Sequence, residues 1–143
     1  MQANELRTGN YVLDVVSNEH KIIYGISHLE GFDLAYVHYK NEFHKPATFL
    51  IQPIPFTEDW LKKFGFKKEK ISSYDKADYN WVYIFTYDKH HYDGISIAKI
   101  KENGEFYIFV GEGNPIPNDI KYVHELQNLN YALTGKELIL NNK

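Results

Sequence analysis

Apolar and polar residues alternate in short runs through the first third of the chain, and turn residues separate the runs. Residues 6–13 place Gly9-Asn10 ahead of the apolar Tyr11-Val12-Leu13. A turn around Ser17-Asn18-Glu19 follows, then strand candidates at 20–26 and 32–39, parted by Glu30-Gly31. Residues 43–51 are a further candidate. Short strands at this spacing predict a curled sheet or small barrel over residues 1–52, an SH3-like barrel being one arrangement. Pro53-Ile54-Pro55 closes the region, because proline has no amide donor for a sheet ladder.

A helix is then predicted over residues 58–64. Thr57 is a good N-cap type, Glu58 and Asp59 suit the positive end of the helix, and Lys62 and Lys63 the negative end. Gly65 stands where a left-handed residue is wanted, with Phe66 placed to fold back on Leu61 in a Schellman stop. Residues 67–78 are polar and read as loop. In 79–87, Trp81, Tyr83, Phe85 and Tyr87 alternate with Val82 and Ile84, the pattern of a strand. Two more strands, at 95–101 and 105–110, flank Asn103-Gly104, a strong hairpin signal. A two-residue turn there would set Ile100 against Tyr107 and Ala98 against Phe109. A second helix, capped by Asn118 or Asp119, carries Ile120, Val123, Leu126, Leu129 and Leu133 at helical spacing, and Gly135 stops it. Residues 137–140 make a last strand candidate. The class is therefore α+β: a β-rich part followed, over residues 53–143, by an α-β-β-β-α unit with an antiparallel sheet. Both helices are expected on that sheet.

The 143 residues suit one domain, with a division near residue 52 as an internal option. An apolar fraction of 43% is enough for a packed core. There is no cysteine, which removes disulfides, thiolate metal sites and cysteine nucleophiles. The net charge of -3 argues against binding duplex nucleic acid, where affinity grows with the phosphates neutralised. No apolar run is long enough to cross a bilayer, and the start Met1-Gln2-Ala3-Asn4-Glu5 lacks the form of a signal peptide, so a cytoplasmic location is expected. Aromatic residues make up 16% of the chain, which suits strand packing or a Tyr-rich binding face.

Three segments carry a resemblance. They are residues 4–12, Asn-Glu-Leu-Arg-Thr-Gly-Asn-Tyr-Val; residues 53–66, from Pro53 to Phe66; and residues 120–138, which include His124-Glu125-Leu126-Gln127-Asn128-Leu129 and Thr134-Gly135-Lys136-Glu137. In order and spacing they resemble a group of small uncharacterised proteins from Bacteroidetes genomes and their phages or mobile elements. That group more often has Gln at the position of Glu125 and Leu at that of Phe56. The resemblance implies a bacterial or phage origin and brings no activity with it.

Candidate chemistry is thin. His90, His91 and Asp93 lie in the run Asp88-Lys89-His90-His91-Tyr92-Asp93, which can offer imidazole and carboxylate ligands to a divalent metal. Adjacent residues at a strand end point to opposite faces, so a third ligand would have to come from elsewhere. His124 has a half-polar helical flank with Gln127 and Asn128 and reads as a boundary residue hydrogen-bonded to the sheet. The Gly111-Glu112-Gly113-Asn114-Pro115 loop lacks a phosphate-binding form. Lys62, Lys63, Lys67, Lys68 and Lys70 are interleaved with Glu58, Asp59 and Glu69 and read as a solvated face or a small anion-binding patch. Without a catalytic set, the leading expectation is a non-catalytic accessory protein of a phage or mobile element that binds another protein and needs no cofactor. The alternatives are a small-ligand or nucleotide-binding protein with a Tyr-rich cleft, and a metal-dependent hydrolase built on His90, His91 and Asp93.

Overall fold

The computed structural model describes residues 3–29, 35–43, 45–70, 81–86, 95–100, 106–110 and 120–141. The fold is α+β, as the residue pattern predicts. The chain divides into two compact units, one of Met1–Phe56 with Ile120–Glu137, the other of Thr57–Asp119 with Leu138–Lys143.

The first unit opens with a 3-10 turn, Ala3–Glu5, and strands β1 (Tyr11–Asp14), β2 (Glu19–His28) and β3 (Ala35–Tyr39). Asn18, in the β1–β2 turn, adopts φ 54°, a left-handed conformation that asparagine tolerates. After β3 the chain doubles back: Val37 N–H donates to Pro46 C=O at 2.9 Å, and Tyr36 bridges Ala47. A 3-10 turn, Thr48–Leu50, then leads into β4 (Ile51–Gln52), which pairs with β1. The strand order is β3-β2-β1-β4, all antiparallel, and residues 46–47 continue the pairing from β3 toward β4. This is a four-stranded antiparallel sheet with one bridge, Tyr36 to Ala47, beyond its β3 edge. Its core is Leu6, Val12, Ile23, Val37, Tyr39 and Ile51, with Ile26 packed against it. Within the 43–51 candidate, the described residues 45–51 are therefore a 3-10 turn between short paired pieces rather than one strand.

The long helix α2 (Val123–Thr134) belongs to this first unit, where it contacts β1, and not with the second sheet as its apolar stripe suggests. Its start also differs from expectation. Pro55 bridges Tyr122, Phe56 N–H donates to Lys121 C=O and Val123 N–H donates to Ile54 C=O, both near 2.8–2.9 Å. This pairing holds residues 121–122 extended, so the helix begins at Val123. Glu125 caps it by accepting the N–H groups of Lys121 at 2.7 Å and Tyr122 at 3.0 Å. Gly135, at φ 68°, ends it as predicted. Residues 137–140 form no strand.

The second unit holds α1 (Glu58–Lys63) and a meander, β5 (Lys67–Lys70), β6 (Trp81–Thr86), β7 (Ile95–Ile100) and β8 (Phe106–Val110), in the order β5-β6-β7-β8. The Schellman stop is present: Phe66 N–H donates to Leu61 C=O at 3.0 Å and Gly65 N–H to Lys62 C=O at 2.9 Å, with Gly65 at φ 89°. Thr57 takes the N-cap position, but its side chain makes no capping bond. Strand β5 was not expected, since Lys-Lys-Glu-Lys has poor strand propensity; it is an edge strand, where charge deters further pairing. In the β7–β8 hairpin Ala98 pairs with Tyr107 and Ser96 with Phe109. That is two residues from the predicted register. A two-residue slip keeps every side chain on its face, so the alternation could not distinguish the two. Ile97 and Ile108 pair directly and are both fully buried. Trp60, Leu61, Phe64, Phe66, Ile95 and Leu138 are also buried in this unit.

Candidate functional site

In the first unit, two of the segments that carry the resemblance meet. Strand β1 pairs with β2 over Tyr11–Asp14 but with β4 only at Leu13 and Asp14, so the start of its other edge needs a partner. Gln127 supplies one. Its Oε1 accepts the Tyr11 N–H and its Nε2 donates to Gly9 C=O, each at 2.9 Å, so the side-chain amide stands in for a neighbouring strand. Asn10, fully buried, accepts Arg7 N–H at 2.8 Å and donates to Asn128 Oδ1 at 2.9 Å; Asn128 in turn donates to Glu5 C=O.

The Arg7 guanidinium closes the network. It forks onto both Glu137 carboxylate oxygens, donates to Gln127 C=O at 2.9 Å and lies over the Tyr131 ring, 4.4 Å from its centroid. Gly9, at φ 94°, lets Glu137 approach: a Cβ there would sit 2.9 Å from Glu137 Oε2. Asn130, also buried, donates to Lys136 C=O at 2.7 Å and holds the segment that carries Glu137. Both terminal nitrogens of the guanidinium have fixed structural partners, while its buried Nε has none. The arrangement is a clamp on the start of β1.

The buried face of α2 is thus half polar. Val123 and Leu126 are buried, but so are His124, Gln127 and Asn130, while Leu133 of the predicted stripe is exposed. His124 is not the boundary residue expected. It is 2% exposed, its ring stacks on Tyr122 at 5.8 Å, and its Nδ1 has no hydrogen-bond partner. Burial pushes the imidazole below its ordinary value, with Glu125 and Glu5 pulling the other way. Tyr39, buried beside the Asp14 carboxylate, is pushed up from the ordinary phenol value, first by burial and then by that neighbour.

The outer face of the first sheet has a different character. Directly paired residues share a face, so Leu13 lies with His20 and Gln52, Tyr11 with Ile22, Gly25 with His38, and Ser27 with Tyr36. Tyr24 occupies the irregularity between Ile23 and Gly25 and is 65% exposed. None of these residues is Asp, Glu, Lys or Arg. Ser27 Oγ and His38 Nε2 lie 2.7 Å apart across the strands. The charges of the unit sit elsewhere; Lys21, for example, is held between Glu19 at 2.7 Å and Glu42 at 2.9 Å. Tyrosine and histidine on strands gave no warning of this, because a face becomes uncharged only once the register assigns residues to it.

His90, His91 and Asp93 lie outside the described residues, as does the loop at 111–119. Among the described residues no three His, Asp or Glu side chains converge as a metal site would need, and no helix is long and apolar enough to cross a membrane. The lysines around α1 are largely taken up: Lys68 pairs with Glu58 at 2.8 Å, Lys62 lies 3.5 Å from Asp59, and Lys63 sits over the Trp60 ring. No family model, curated protein or solved structure matches the chain.

Proposed function

We propose that this chain is a non-catalytic accessory protein of a phage or mobile element, working in the bacterial cytoplasm by binding a protein surface. The observation that carries the reading is the uncharged outer face of the first sheet, with Ile22 and Tyr24 exposed on it. Protein-binding surfaces are depleted of charge and enriched in tyrosine at their centres, because a buried charge must be paired while a tyrosine brings apolar area and a hydroxyl together. The Arg7–Glu137 clamp supports the same reading, since it stiffens the sheet without offering a reactive group.

The test begins with proteins that co-purify with the chain from its native host, each then purified and titrated against the parent and against Tyr24→Lys. Loss of at least about tenfold in affinity, or about 1.4 kcal/mol, is expected for the variant, since it buries an unpaired ammonium. Equal affinity of parent and variant for every co-purifying protein would overturn the reading.

A further inference from the structure

We propose that the surface bound by the outer face is the same face of a second copy of this chain, paired about a two-fold axis. The inference rests on the protein-binding reading of that face and names its occupant.

A two-fold interface makes an unusual chemical demand. Residues near the axis meet their own copies, so each polar group there must be able to bond with itself. A lysine or arginine has only donors and an ionised carboxylate only acceptors; each would also face its own charge. A phenol, an aliphatic hydroxyl, a neutral imidazole and a primary amide each carry both a donor and an acceptor. The polar groups of this face are all of that second kind: the hydroxyls of Tyr24, Tyr36 and Ser27, the rings of His20 and His38, and the amide of Gln52.

Electrostatics points the same way. Two copies of a chain with net charge -3 repel each other, and the repulsion is least where the contact itself carries no charge. The face also has an apolar component to bury, in the half-buried Tyr11 and Leu13 and the exposed Ile22. The Ser27–His38 bond ties β2 to β3 on the face, so little side-chain freedom is lost there on association.

The experiment is analytical ultracentrifugation of the full parent chain over a range of concentrations, at low and high salt, beside Tyr24→Lys and Gln52→Lys. The parent is expected to reach twice the mass of the chain, with a dissociation constant that changes less than about threefold with salt, because no ion pair forms at the contact. Each lysine variant is expected to weaken the dimer at least about tenfold while its circular dichroism and melting temperature match the parent, both positions being exposed. A parent that stays monomeric, or a dimer that both variants keep, would overturn the inference. A monomeric parent whose host partner is lost in Tyr24→Lys would leave the protein-binding reading intact. Loss of neither partner nor dimer in that variant would remove both.

Discussion

Replacing Gln127 by Leu tests the claim that a side-chain amide completes the edge of β1. The volume is nearly conserved, so packing changes little, but two hydrogen bonds of 2.9 Å disappear. They leave the Tyr11 N–H and the Gly9 C=O without that partner at a site where Gln127 is fully buried. An unsatisfied buried backbone group costs about 1–3 kcal/mol, and part of the sum is returned by burying an apolar side chain instead of an amide, so about 2–4 kcal/mol of destabilisation is expected. Urea unfolding should be followed by far-ultraviolet circular dichroism. Trp60 and Trp81 both lie in the second unit, and their fluorescence would report on the wrong part of the chain. Hydrogen exchange supplies a local readout, since the Tyr11 amide should exchange at least about tenfold faster in the variant. A stability change below about 0.5 kcal/mol, with Tyr11 exchange as in the parent, would refute the edge-completing role.

Leu126→Ala removes a fully buried side chain from α2 and should cost about 2–5 kcal/mol in the same denaturation experiment. Gly65→Ala places a Cβ 2.5 Å from Asn141 Nδ2 at a φ of 89°, and a loss of about 1–2 kcal/mol is expected by thermal melting. His124 gives a pH dependence. Its folded value is lowered, chiefly by burial, so the unfolded chain takes up a proton that the folded chain resists. Its contribution to stability is complete above about pH 6.5, the ordinary imidazole value, and is lost as pH falls through the lowered folded value. Melting temperatures from pH 8 down to about pH 5 should decline more in the parent than in His124→Phe, which carries no titrating ring. Parallel curves would show that His124 titrates alike folded and unfolded.

Local rules carried much of the fold. The Schellman stop at Gly65, the end of α2 at Gly135 and the antiparallel strands β6, β7 and β8 were legible because each depends on residues within a few positions of one another. The α+β class and the short antiparallel strands of the first unit followed from period and spacing for the same reason. Where two registers keep the same faces, as in the β7–β8 hairpin, the pattern could not choose between them. The start and the partner of α2 were beyond it altogether. Its beginning is set by pairing with residues 54–56, more than sixty positions earlier, and its buried face by the start of β1, where β4 does not reach and Gln127 takes the Tyr11 N–H. Gln127, Asn128 and Asn130 look like a solvated flank in one dimension, because hydropathy scores a side chain by its affinity for water. In the folded chain they are buried or half-buried because backbone groups there need partners more than they need apolar neighbours. The uncharged outer face is likewise a product of register: its residues are scattered from Tyr11 to Gln52, and only strand pairing puts them on one surface.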